Sequence, residues 1–510
     1  MGLRHCLLTS FSVLALAATA HAQTAPQPAA SQTTRPAKHA AKPRAVPVAK
    51  AVPEKPVRPN RANGMMPHTL AEALAEVYSN QPALQAERAK LRSTDESVPT
   101  ALAGWRPQVV VAGTAGYGDG VSRSFIPIGA GFNEAFRTDR VIGTAQATVT
   151  QNLYTGGRTH AAINKAKNTV FAERANLIAQ EQTSFINTVN AYVGVIQAQQ
   201  LLSLQINNEQ VLARQLQATN DRFRVGEITR TDVAQAEAAL EGARASRETA
   251  EGNLQTARST FQQYVGVLPP DNLVEPQPLA LPVKGEQDAA AFAARNNPNV
   301  INALFNDAAA KDAIDAAFGQ LMPQISLQGQ TFQQNNAGAP YSQNNGYQVT
   351  AQVSVPLYQG GSEYAAVRQA KQAEQQTNRL IDDAKRTAVQ NAIQAWDTLS
   401  AAKAAADSTR AAIRANEIAL EGVEREAIVG SRTTLDVLNA TQTLLNSRVT
   451  LVQNLAQVIT ASYSVAVAIG RLTARDLHLP VPLYDETAYY KAVANRWAGL
   501  SDYATNQPGR

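Results

Sequence analysis

Residues 222–240 read RFRVGEITRTDVAQAEAAL, and residues 426–444 read EAIVGSRTTLDVLNATQTL. Shifting the second stretch by 204 superposes Val429 on Val225, Gly430 on Gly226, Thr433 on Thr229, Asp436 on Asp232 and Val437 on Val233. Each copy is a short break between long Ala- and Gln-rich stretches of helical character. Each continues into T-x-x-D (Thr229 to Asp232, Thr433 to Asp436), the signature of a helix start. Each copy is therefore expected to be the tip of a long antiparallel helical hairpin, with Gly226 and Gly430 supplying the sharp turn.

Working outward, no strong breaker interrupts residues 158–224, whose 67 residues would span roughly 100 Å as one helix. The return helix, to about Val265, has a 4–3 spacing at Ala236, Leu240, Ala243, Arg247, Ala250, Leu254, Ala257 and Phe261. Upstream, a helical pattern from Thr69 is interrupted by Pro82 and stopped at Trp105-Arg106-Pro107, because proline cannot continue a helix. Alternating stretches at about 108–118 and 141–154 then read as a strand pair. The same order returns in the second half. Pro298 matches Pro82 and Pro323 matches Pro107 at an offset of 216, and strands are expected at about 324–333 and 346–358. LYQGGSEYAAVRQAK (357–371) matches LYTGGRTHAAINKAK (153–167) at an offset of 204, so Gly156-Gly157 and Gly360-Gly361 are the strand-to-helix exits. The 12 residues lost between these anchors predict a longer exposed loop in the first half, around Phe125 to Phe136. Constant offsets on either side of a hairpin mark an internal duplication.

The reading is an α+β chain of two αββαα repeats, residues 67–267 with a hairpin at about 158–265, and 285–471 with a hairpin at about 362–470. A Pro-rich connector (268–284) joins them and a mixed segment (472–510) follows. Residues 1–22 form a signal peptide: Arg4 and His5 precede an apolar run, and Ala20-His21-Ala22 is a cleavage site. Residues 23–66 are an Ala/Pro/Lys-rich, disordered arm. The net charge of +5 is uneven: the arm holds Arg35, Lys38, Lys42, Arg44, Lys50, Lys55, Arg58 and Arg61 against Glu54, and residues 67–510 are left at −3. The basic balance thus belongs to a tail, which argues against nucleic acid as a partner. One cysteine and six scattered histidines give neither a disulfide framework nor a metal cluster, and no nucleophile–base–oxyanion set is visible. No enzyme activity and no cofactor are expected. The glycine pairs are not followed by G-K-[ST], so they are not phosphate loops.

Four strands per chain leave open edges, whereas about eight are needed to close even a small barrel. The strands have the alternating, Gly-, Thr- and aromatic-containing character of outer-membrane barrels, and closure by several copies removes the edges. A coiled-coil scaffold or adhesin of the envelope accounts for the helices but gives the duplicated strands no task.

The duplicated LYxGG exits, the two VG-x-x-T-x-x-D-V tips and the signal peptide together resemble TolC-like outer-membrane efflux proteins, over about residues 67–472. The resemblance implies a homotrimer in outer-membrane lipid, with four strands from each chain in a 12-stranded barrel continued by a periplasmic α-helical barrel. The connector and termini would form an equatorial region. It implies a passive outer-membrane channel for small toxic compounds or secreted proteins, as in drug efflux and type I secretion. Its helix tips, at Val225, Gly226, Val429 and Gly430, would dock a periplasmic adaptor (membrane fusion) protein. The inner-membrane transporter would be of resistance-nodulation-division, ABC or major-facilitator type. Asp436 matches the first of two family acidic residues that ring the pore entrance, and Asn439 stands at the second, so the ring is halved. Helix capping is the alternative role for Asp436, as for Asp232. Arg432 matches an arginine that latches the closed tip, with partners matching Thr231 and Asp232. A tyrosine that shares the family latch is replaced by Ala427.

Overall fold

The structure is a computed structural model and describes residues 67–126, 132–337 and 341–500. The expected signal peptide and arm lie outside the described residues. Three short helices, α1 (Leu70–Asn80), α2 (Pro82–Asp95) and α3 (Ser97–Leu102), precede strands β1 (Gln108–Ile126) and β2 (Phe132–Tyr154). The long helix α4 (Arg158–Arg224) and its return α5 (Arg230–Val265) follow. The second half repeats the order with α6 (Glu286–Asn296), α7 (Pro298–Phe318), β3 (Gln324–Asn335), β4 (Gln343–Ser354), α8 (Ser362–Ile428) and α9 (Thr434–Ala468). A short α10 (Ala488–Val493) lies in the C-terminal segment.

The prolines act as sequence punctuation. Pro82 and Pro298 are first residues of α2 and α7, where the missing N–H costs no helical hydrogen bond. Pro107 and Pro323 directly precede β1 and β3. Asn297 caps α7 by accepting from Asn299 N–H, and its Nδ2 donates to Ala468 O at the end of α9 (3.1 Å), tying the two helices together.

At the strand exits Gly156, Gly157, Gly360 and Gly361 all have left-handed φ, between 65° and 84°. Gly156 is also sterically required, since a Cβ there would lie 2.4 Å from Met322 Cβ and 2.6 Å from Gly319 O.

The sheet is antiparallel in the order β1-β2-β3-β4. The first pair is longer than its sequence pattern predicts. The ladder continues past Gly118↔Arg140 to Ile126↔Phe132, so most of the extra residues of the first half are paired strand rather than loop. Glycine and polar residues at 116–124 blur the alternation there, while cross-strand hydrogen bonding still satisfies the backbone. Of the expected loop, residues 127–131 lie outside the described residues.

The main core sits where the connector and C-terminal segment cross the helices. Tyr192, Phe185 and Phe261 are fully buried there with Leu74, Leu84, Leu91 and Leu472. Tyr192 Oη lies 2.7 Å from His68 O and 2.8 Å from Val274 O, and Val274 N–H donates to His68 O (3.0 Å), which pins the connector to the start of α1. Along α5, Ala236, Leu240, Ala243, Leu254 and Phe261 of the 4–3 row are buried. Toward the tips burial thins. A small buried cluster of Leu212, Leu240, Ala243 and Leu438 brings residues of both hairpins together there.

Candidate functional site

The sheet has two chemically distinct faces, because residues in register share a face. One row set runs Val109↔Val149↔Gly329↔Val349 and Val111↔Ala147↔Thr331↔Tyr347, with Tyr117↔Val141 beyond it. These valines and tyrosines are exposed. The other face is mainly Thr and Gln, cross-linked by side chains: Thr114 to Thr144 (2.6 Å), Gln330 Nε2 to Gln146 Oε1 (3.0 Å) and Gln348 Nε2 to Gln330 Oε1 (3.0 Å). Apolar outside and polar inside is the pattern of a membrane barrel strand. The apolar row from Val109 to Tyr117 ends at an ion pair, Arg137 to Asp119 (2.9 Å). That segment has the length of about 9–11 residues needed to cross the hydrocarbon layer as a tilted strand.

The hairpin tips are built alike. α4 ends with Gly226 N–H donating to Phe223 O (2.9 Å) and Glu227 N–H to Arg222 O (3.0 Å), with Gly226 at φ 79°. The second tip has Gly430 N–H to Ala427 O (3.3 Å), Ser431 N–H to Glu426 O (3.0 Å) and Gly430 at φ 79°. This is the Schellman arrangement, which satisfies the last helical carbonyls and needs a residue free to turn left-handed. Each return helix then opens with a capping box. Thr229 N–H donates to Asp232 Oδ2 (3.0 Å) and Asp232 N–H to Thr229 Oγ1 (3.3 Å). Thr433 N–H donates to Asp436 Oδ2 (2.9 Å) and Asp436 N–H to Thr433 Oγ1 (3.2 Å). These bonds hold both carboxyls below the ordinary range, through the Thr229 hydroxyl first for Asp232 and the Thr433 backbone first for Asp436.

Asp436 therefore has the capping role of its twin Asp232, whatever else it does, and Asn439 is exposed one turn further along α9. Arg432 is held by Glu426 of its own hairpin, Nε to Oε2 at 2.8 Å. Among the described residues no ion pair joins Arg432 to Asp232, so the single chain does not bring the expected latch residues together. Thr231 is exposed. The turn folds the loop back over the last helical turn, which puts Glu426 within reach. The first tip has a matching pair, Arg222 to Glu227 (2.9 Å). Neither pair was read from sequence, although an opposite charge five or six residues before a loop charge is the signal that such a turn would use.

Between α2, α4, α7 and the C-terminal segment lies a cavity of about 450 Å³ lined by Tyr78, Arg88, Glu181 and Tyr484 among others. The Arg88 guanidinium sits 4.5 Å from the Tyr78 ring and 5.1 Å from the Tyr484 ring. Its Nη2 donates to Tyr78 O (2.9 Å). Glu181 Oε1 accepts the Ala474 N–H (2.6 Å), fastening the C-terminal segment to α4.

The two-faced sheet carried on hairpins far longer than a membrane is thick defines an outer-membrane channel that extends into the periplasm. The chain matches the outer membrane efflux protein family over residues 73–267 and 292–471. It is 36% identical over 434 residues to the outer membrane efflux protein BepC of Brucella suis biovar 1 (strain 1330), covering 85% of this chain and 92% of that one. It is 27% identical over 318 residues to the outer membrane protein TolC of Escherichia coli (strain K12), covering 58% and 63%. The crystal structure of the outer membrane protein VceC from Vibrio cholerae matches with a TM-score of 0.67 at 19% identity, over 79% of this chain and 96% of that one. The chain belongs to the TolC-like outer membrane efflux protein family and is an efflux channel, a transport protein rather than an enzyme.

Proposed function

We propose that three copies of the chain join their sheets, β4 of one beside β1 of the next, into a twelve-stranded barrel. The observation that carries this is the sheet itself: one apolar face, one Thr/Gln face, and β1 and β4 at its ends in the order β1-β2-β3-β4. An open edge of that length in lipid would leave rows of backbone groups without hydrogen bonds, and closure between copies satisfies them. The polar face then lines the lumen, and the helical hairpins prolong it through the periplasm.

In this reading the channel is the passive outer part of a tripartite system. A periplasmic adaptor meets the tips around Val225-Gly226 and Val429-Gly430. An inner-membrane transporter of resistance-nodulation-division, ABC or major-facilitator type supplies the energy. Cargo is small toxic compounds, secreted proteins or both. Three copies of Asp436, with Asn439 one turn along, form the pore entrance ring and favour cations there. Arg432, Thr231 and Asp232 form the latch between hairpins in the closed state. An exposed ion pair of the Arg432–Glu426 kind is weak enough for a docking partner to exchange. Cysteine pairs test the closure, one fixed in β4 and the other stepped along β1. A covalent trimer under oxidation is expected at a matching register, and monomers at every register would overturn it.

A further inference from the structure

The two tips share one backbone but not one surface. Superposition at the offset of 204 places Arg224 on Ile428, Arg230 on Thr434 and Thr231 on Leu435. Ile428 and Val429 are 76% and 78% exposed and Leu435 is 44% exposed, so the second tip presents three apolar side chains to solvent around an Arg432 that is paired with Glu426. The first tip keeps Val225, 78% exposed, and Phe223, 42% exposed, but has the exposed Arg224 and Arg230 at the positions of Ile428 and Thr434. Arg224 is paired one turn back with Asp221 at 3.4 Å, with both side chains well exposed to water. The turn ion pairs also run in opposite senses: the helix supplies the cation in Arg222–Glu227 and the anion in Glu426–Arg432. The side chains of Arg224, Arg230, Ile428 and Leu435 take no part in the Schellman bonds or the capping boxes, whereas Ser431 Oγ donates to Glu426 O (2.9 Å). The contrast therefore does not serve the turn.

We infer that the two tips divide the work of docking the adaptor: the second tip is an apolar anchor and the first reads charge. This rests on the adaptor docking proposed above. The partner is accordingly a helical end that offers acidic residues to Arg224 and Arg230 and apolar residues to Ile428, Val429 and Leu435. Burial of these three apolar side chains supplies salt-independent affinity. The exposed arginines of the first tip supply selectivity and a salt-dependent rate of association.

The test measures binding of the purified adaptor from the host bacterium to the detergent-solubilised full-length channel, at about 50 and about 300 mM salt. Wild type is expected to bind more weakly at the higher salt. The double substitution Arg224→Glu with Arg230→Glu is expected to weaken low-salt binding about tenfold and to flatten or invert the salt dependence. Ile428→Ser is expected to weaken binding about tenfold at both salts with the wild-type salt dependence kept. Wild-type salt dependence in the arginine variant, or unchanged affinity in Ile428→Ser, would overturn the division of labour while leaving adaptor docking intact. A wild-type channel that binds no adaptor at either salt overturns docking itself. Folding of each variant is checked by its conductance in a planar bilayer.

Discussion

Glu181 stands beside an arginine and aromatic rings at the edge of the cavity between α2, α4, α7 and the C-terminal segment. Burial pushes its carboxyl up to about 7 from the ordinary 4.5, against the lowering effect of the Ala474 amide and of Arg88. Asp95, with both oxygens buried and without a hydrogen-bond partner, is raised to about 6, again chiefly by burial and against Arg174. Both groups hold protons more tightly in the folded chain than in the unfolded one. Their contribution to stability is therefore fully present below the unfolded values and lost as pH rises through about 6 to 7. Glu181→Gln keeps an acceptor for Ala474 N–H and removes the titration. The variant is expected to match wild type in melting temperature at about pH 5 and to exceed it at about pH 8. A wild-type pH profile in the variant would show that Glu181 ionises freely. The strand exit gives a second test at this scale. At Gly157 a Cβ meets nothing within 4 Å, so Gly157→Ala costs only left-handed strain, about 1–2 kcal/mol. At Gly156 the added atom would overlap Met322 and Gly319 O as well, so Gly156→Ala is expected to cost clearly more. Equal effects on urea unfolding would remove the steric argument.

Among the elements, the hairpins owe their stability to the main core around Tyr192 and Phe261 and their ends to capping. Phe261 is fully buried against Tyr192, with ring centroids 6.2 Å apart. Phe261→Ala is expected to cost about 3–5 kcal/mol in unfolding free energy. Thr229→Ala removes half of a capping box and is expected to cost about 1 kcal/mol, read the same way. A reversed order of these two effects would mean that the tip, not the main core, limits unfolding. Much of this level was legible in the sequence. Proline, glycine and T-x-x-D act locally, so strand starts, helix exits and tip turns could be read from one residue type at one position. The extension of β1 and β2 could not, because glycine and serine after Gly118 carry no alternation even where the ladder continues. Nor could the partner of Arg432. Within the single chain that partner is Glu426, brought back by the turn six residues away. Glu181 was equally silent, since a glutamate in a Gln-rich helix looks solvent-facing until the C-terminal segment covers it.

For the molecule as a whole, the duplication was visible as constant offsets, and the sheet order and its two faces give those offsets a purpose. A four-stranded sheet with an apolar exterior and a Thr/Gln interior is a fraction of a pore wall. Thin burial toward the tips leaves the hairpins short of partners that neighbouring copies can supply. Single-channel conductance in a planar bilayer, for wild type beside Arg432→Ala, Glu426→Ala and Asp436→Ala, tests this most directly. Wild type is expected to show a small, cation-preferring conductance that rises in Arg432→Ala and loses cation preference in Asp436→Ala. It does not rise in Glu426→Ala, where Arg432 is released to the other hairpin. Folded, inserted protein that conducts in none of the four would contradict the channel, and a large ungated conductance in wild type would contradict the closed tip.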